Sequence, residues 1–269
     1  MIKSLQSIRF IFALMIFIHH FYQPQIEQFG TFPVTFFFVL SGFMLTMGYS
    51  EKILKGEISY FSFIRKRIIR IFPLNWVALI LALFVPIDWN MNINYYIAHI
   101  PSALLLQSWV PLSSIYFSGN AVAWFLSDIF FFYLAFPYIL RLLSSKYKHF
   151  VMAVVLLLYL VLIHIVPDSW SHQLIYINPM FRMVDFCIGI YLCLLWRAFH
   201  HENEHSFYLN TAIEFFAGLI SVFFILVYPF IAVRYSLASL YWIPSVILIL
   251  AFAKSESAGG GRFFKAVVL

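Results

Sequence analysis

The chain has 269 residues, of which 63% are apolar, 21% aromatic and only 10% charged, with a formal net charge of +6. Globular domains average roughly 45–50% apolar and about 25% charged, and no soluble fold of this length has interior enough for so much apolar surface, which excludes disorder and a water-soluble enzyme. The 17 Lys and Arg gather at the ends of apolar segments, where membrane topology puts them, and not on one solvated face as nucleic-acid binding requires.

Met1–Lys3 precede an apolar run that holds His19 and His20 and has no small-x-small cleavage site after it. It predicts a first membrane helix over 7–22, not a signal peptide. A second helix is expected over 33–49. A basic connection follows, with Lys52, Lys55, Arg65, Lys66, Arg67 and Arg70. Its later part, 60–72, alternates basic and apolar faces and predicts a helix lying in the interface. Further spans are predicted near 73–87, 120–142, 149–166, 178–196, 211–232 and 236–253. Segment 95–110, interrupted by His99 and Pro101, is short against the roughly 17–25 residues a span needs.

Basic residues concentrate in 1–9, 52–70, 141–148 and 254–265, and are missing from 23–31, 88–94, 111–119 and 167–177. Placing the basic connections in the cytoplasm gives a cytoplasmic N-terminus and about eight spans, provided 95–110 does not cross. That segment is therefore expected to be re-entrant, covered by protein or lining a water cavity. Arg234 falls on the wrong side in this scheme. The expected fold class is an all-α polytopic transmembrane helix bundle forming one domain over 1–269. Cys187 and Cys193 lie about 240° apart on a helix, too divergent for a bridge, and are expected to be packing residues.

Ionisable groups within spans are costly and are functional candidates by default. They are Arg9, His19, His20, Asp128, His164, Arg182, Asp185 and Glu214. Arg9 and His20 are eleven residues apart, about 20° after whole turns, so they share one helical stripe about 16 Å long. A guanidinium can hold a phosphate or carboxylate, and an imidazole can take a proton from a hydroxyl nucleophile. The plainer reading is that Arg9 snorkels to headgroups and His20 ends a helix at the interface. Arg182 and Asp185, spaced i,i+3, can pair on one face, either to neutralise charge at depth or to shape a donor pocket. Ser41-Gly42 is read as a close helix approach and not as a nucleophile. Asn75, Trp76 and Trp124 are read as packing or interface residues, and isolated Glu214 and His164 carry no functional assignment. His201-Glu202-Asn203-Glu204-His205 satisfies H-E-x-x-H, but it falls in the most polar connection of the chain with no clear third ligand. No metal site is assigned.

Several stretches together resemble the acyltransferase 3 family of membrane O-acyltransferases. SIRFIFALMIFIHHF, with Arg9 and His20, resembles its first-helix signature, and Phe36–Thr46 its second helix. Phe63–Trp76 is similar to its basic segment entering the third helix; Trp124–Pro137 and Ile177–Ile190 match later patterns. The order covers most of the first 190 residues. Three features depart from the pattern. Ile129 stands where many relatives carry Glu, with Asp128 one residue earlier; Val184-Asp185 replaces Pro-Glu; and the chain stops at Leu269, about where a further family helix should begin. A fragment and a variant both fit that last departure.

The resemblance implies transfer of an acyl group, commonly acetyl, from acyl-CoA to a hydroxyl of an envelope carbohydrate, in a bacterial inner membrane. Arg9 and His20 are then the catalytic candidates. His20 serves as general base or as a covalent acyl carrier. Arg65, Arg67 and Arg70 either anchor lipid phosphates or gather the anionic end of acyl-CoA. His19, Asp128, Arg182 and Asp185 remain as further buried polar candidates. The expected partners are the carbohydrate or lipid-linked glycan acceptor and membrane lipids. The competing class is a transporter or flippase without covalent chemistry, for which buried Arg, Asp and His would serve equally.

Overall fold

The computed structural model describes residues 4–22, 26–84, 93–199 and 207–257. The H-E-x-x-H match at His201–His205 lies outside them. Every regular element among the described residues is helical. In chain order these are α1 (Ser4–Tyr22), α2 (Gln28–Leu54), α3 (Tyr60–Phe84), α4 (Ile93–Ala103), α5 (Ser113–Tyr116), α6 (Trp124–Leu143), α7 (Lys148–Ile165), α8 (Pro179–Phe199), α9 (Phe207–Val227), α10 (Val233–Ser236) and α11 (Trp242–Ser257). With most positions apolar, the helices satisfy their own backbone hydrogen bonds, which lipid cannot do for them.

Among the described residues, six helical segments are long and apolar enough to cross a membrane: Leu5–Tyr22, Gln28–Leu54, Ala121–Leu143, Lys148–Ile165, Pro179–Phe199 and Leu209–Phe230. The expectation was about eight. Of the two others, α3 carries Arg65, Lys66, Arg67 and Arg70 in its first half, and α11 has 16 residues. The separate interfacial helix expected over 60–72 is corrected. It runs straight into the apolar part as one 25-residue helix with Pro73 inside it. Pro73 removes one backbone donor, and the rest of the helix holds on either side.

The chain divides into two compact units, Met1–Met44 with Asp185–Leu269, and Leu45–Val184. In the first, α9 and α11 pack together and α1 packs on α11. Phe12 of α1 meets Phe32 and Phe36 of α2 at ring-centroid distances of 4.9 and 4.3 Å, and Phe32 stacks on Tyr241 at 4.8 Å. α2 and α8 cross at glycines. A Cβ on Gly42 would lie 2.2 Å from the Phe186 carbonyl oxygen, and one on Gly189 would lie 1.9 Å from the Val39 carbonyl oxygen. Ser41 spends its hydroxyl on the Phe37 carbonyl one turn back, 2.7 Å away. The close approach read from Ser41-Gly42 is therefore real, and Gly189 is its counterpart.

In the second unit α3 runs antiparallel to α6. Tyr60 donates to the Leu134 carbonyl at 3.3 Å and its ring lies 5.7 Å from Tyr138, while Phe72 meets Phe130 at 5.0 Å. α4 has 11 residues, about 16 Å of rise, roughly half the hydrocarbon thickness. Two of its last carbonyls take side-chain donors from α3. Asn75 Nδ2 donates to Ser102 O and Trp76 Nε1 donates to Ala103 O, each at 2.9 Å. Residues assigned to packing thus hold the end of a short helix. The chain then turns through Leu105, whose φ of 55° is uncommon for a side chain of this size. Ser127 Oγ donates to Leu105 O at 2.8 Å, Ser108 Oγ donates to Ser127 Oγ at 2.6 Å, and Gln107 Nε2 donates to Ala123 O at 2.9 Å. Gln107, Ser108 and Ser127 are buried, so this irregular backbone is covered by protein, as a re-entrant segment needs.

Candidate active site

α1 is unbroken from Ser4 to Tyr22, so Arg9 and His20 keep the shared stripe of an ideal helix. Arg9 is half-buried and His20 is exposed. His20 Nδ1 lies 2.7 Å from the Ile16 carbonyl oxygen. A carbonyl can only accept, so in the neutral ring Nδ1 carries the proton and Nε2 is the atom able to take one. The adjacent His19 is placed differently. Its Nδ1 lies 3.2 Å from the Ile26 carbonyl, and a Cβ on Gly30 would meet its Cδ2 and Nε2 at 2.8 Å. His19 therefore fastens the α1–α2 turn with its ring lodged over a glycine. Nearby, Tyr228 donates to Glu27 Oε2 at 2.6 Å.

The three arginines of α3 do not form one patch. Arg65 and Arg70 are exposed, whereas Arg67 is buried. About 200° of rotation sets 65 and 67 on opposite faces, whereas 67 and 70 are only about 60° apart. It is therefore the packing around Arg67, and not helix rotation, that separates those two. The Arg67 guanidinium sits over Tyr49, Phe63 and Tyr133, with its carbon 4.6, 5.1 and 5.3 Å from the ring centroids. Cation–π attraction holds the charge there. Its Nε and Nη2 are buried and have no hydrogen-bond partner among the described residues. Nε and one Nη of a guanidinium together match the two oxygens of a bidentate anion.

Asp128 is fully buried in α6, beside the Ser127 that holds the Leu105 turn. Arg182 is fully buried, its guanidinium carbon 5.7 Å from the Tyr176 ring. Asp185 is also fully buried and accepts the Trp242 indole N–H at 2.5 Å. Trp242→Phe keeps the ring but deletes this donor from a buried carboxylate. The expected cost is about 1–3 kcal/mol, checked by thermal unfolding in detergent against the unsubstituted protein.

A family model described as an acyltransferase domain, Acyl_transf_3, matches residues 2–255. The chain belongs to that family. The match and the long apolar helices make it an integral membrane protein. Acyltransferase MdmB of Streptomyces mycarofaciens is 31% identical over 161 residues, which are 54% of this chain and 40% of that protein. The match spans less than half of the relative's length. No solved structure matches the chain.

Sequence reasoning on this family member missed Tyr49, Tyr133 and Trp242. Phe63, four residues before Arg67, was legible as its neighbour on one helical face. Tyr133 and Trp242 arrive from distant helices, with no local signal to announce them.

Proposed function

We propose that the chain transfers an acyl group, in the first instance acetyl, from acyl-CoA to a hydroxyl of a cell-envelope carbohydrate. The observation that carries this reading is His20, with Nδ1 tied to the Ile16 carbonyl so that Nε2 is the nitrogen able to accept a proton, on the stripe that begins with Arg9. The acceptor O–H gives its proton to His20 Nε2 as its oxygen forms a bond to the thioester carbonyl carbon. The C–S bond breaks and the CoA thiolate leaves, taking the proton back from the imidazolium. In the covalent variant Nε2 itself bonds to the thioester carbonyl carbon as the C–S bond breaks and the CoA thiolate leaves. The acceptor oxygen then bonds to that carbon, the C–N bond breaks, and the hydroxyl proton passes to the thiolate. Arg9 neutralises an anionic group of the donor near the start of the stripe. Arg67 is assigned to a donor phosphate because its buried N–H groups lack an acceptor, and exposed Arg65 and Arg70 attract the anion from solvent. The protein sits in the bacterial inner membrane with its N-terminus cytoplasmic, the side on which acyl-CoA is made.

The test compares O-acetyl content of envelope carbohydrate between cells carrying the protein and cells carrying the empty vector, alongside acetyl-CoA consumption by the purified protein in nanodiscs. Equal O-acetylation with the protein well expressed sinks the carbohydrate reading. Incubation with radiolabelled acetyl-CoA and no acceptor separates the two chemistries, since label retained on His20 identifies the covalent route. Arg67→Lys keeps the charge but loses the fork. The expected result is a rise of about 10-fold or more in KM for acetyl-CoA with a smaller change in kcat, measured by thiol release. Arg65→Lys is expected to change KM by less than about 3-fold.

A further inference from the structure

His20 stands in the last turn of α1, two residues before the helix ends at Tyr22. Its Nδ1 contact is to Ile16 O, the carbonyl one turn back, so the ring keeps that orientation only while the last turn stays helical. Helix ends fray unless something holds them. Here the turn from α1 to α2 is held from both sides. His19 ties Ile26 and covers Gly30. The Glu27 carbonyl accepts from the Gly30 and Thr31 amides at 2.9 and 3.0 Å, which fixes the backbone that carries the Glu27 side chain. That side chain meets Tyr228, 201 residues away, whose phenol donates to Oε2 at 2.6 Å. A bond this short between a phenol and a carboxylate is of the stronger kind. Tyr228 opens the one-turn helix Tyr228–Phe230 after α9, where Pro229 stiffens the backbone. The same connection reaches α2 again at Tyr241, whose ring stacks on Phe32 at 4.8 Å and 13°. The run from α9 to α11 thus grips the start of α2 twice. Glu27 is exposed and Tyr228 half-buried, so their bond sits at the rim of the helices and not in their core.

We propose that Tyr228 and Glu27 are positioning residues for His20. Their hydrogen bond clamps the α1–α2 turn to the connection between α9 and α11, and so keeps the last turn of α1 formed beneath the imidazole. Neither residue is assigned a contact with substrate, and both act through His20. A base must sit within hydrogen-bond reach of the acceptor hydroxyl, so a small displacement costs rate. Donor affinity, set by the arginines, is expected to be spared. The clamp rests on the reading of His20 as the base.

The experiment has two readouts on the full chain in nanodiscs, hydrogen–deuterium exchange of a peptide covering 17–22 and acetyl-CoA-dependent acyl transfer. Tyr228→Phe keeps the ring and deletes the donor; Glu27→Ala deletes the acceptor. Each is expected to speed exchange in 17–22 by about 3- to 10-fold. Each should lower kcat over the same range, with KM for acetyl-CoA within about 2-fold of wild type. Glu27→Gln, whose amide oxygen still accepts the phenol proton, should recover most of the Glu27→Ala loss. In a His20→Ala background, Tyr228→Phe should cost less than about 2-fold in single turnovers with radiolabelled acetyl-CoA, since the residue it positions is gone. Loss of folded protein would instead lower both backgrounds alike. Unchanged exchange in Tyr228→Phe, or equal losses in the two backgrounds, overturns the proposal. Failure of the underlying reading looks different. If His20→Ala keeps full kcat while Tyr228→Phe still speeds exchange, the clamp on α1 stands and its part in catalysis is removed.

Discussion

His20→Ala is expected to lower acyl transfer by about 10²–10⁴-fold, the ordinary contribution of a positioned general base. The fall should appear in kcat, because the imidazole acts on the reacting hydroxyl and not on the bulk of either substrate. The neighbouring His19→Ala is the informative control. Its ring is lodged over Gly30 and its Nδ1 is tied to Ile26, so its loss should lower the melting temperature and leave kcat within about 10-fold of wild type. The quantity to measure is acetyl-CoA-dependent acylation, with expression and melting temperature recorded for each variant. A His20→Ala protein that folds and keeps full kcat removes this residue from the chemistry, and a large kcat loss in His19→Ala alone moves the base by one residue.

Gly189→Ala is expected to destabilise the protein by about 3 kcal/mol or more, at the upper end of overpacking. The new Cβ would lie 1.9 Å from the Val39 carbonyl oxygen and 2.9 Å from the Phe43 backbone nitrogen. Neither is the tip of a side chain that could swing away, so α2 and α8 must separate. Gly42→Ala repeats the collision from the other helix, against Phe186 O at 2.2 Å. Gly48, also in α2, is the control. Nothing lies within 4 Å of its Cβ position, so Gly48→Ala should be neutral, or stabilising by about 1 kcal/mol from helix propensity. Thermal unfolding of the three variants in one detergent tests this. Equal melting temperatures for Gly189→Ala and Gly48→Ala would show that the two helices do not cross so closely.

The membrane-spanning class and most helix positions were legible because hydropathy is a local property of consecutive residues. The join between 60–72 and 73–87 was misread because Pro73 invites a boundary that the continuous helix does not observe. Rotation alone sets Arg65 far from Arg67, but Arg67 and Arg70 are neighbours on the helix. Only the rings that arrive from other segments to cover Arg67 distinguish the two. The Asn75 and Trp76 caps were invisible, since Ser102 and Ala103, which they serve, are 27 residues further along the chain.

The sequence by itself determined that this is a membrane protein and which few polar side chains need explaining, since 63% apolar against 10% charged leaves little else at depth. It also put Arg9 and His20 on one stripe, because helix periodicity is intrinsic to the backbone. Only the tertiary structure decided which face of each helix turns inward. It lodged His19 over Gly30 while leaving His20 exposed, and it enclosed Arg67 in three rings while Arg65 and Arg70 remained outside. The physical reason is that propensity and hydropathy are summed along the chain, whereas burial depends on which distant residues arrive to cover a surface.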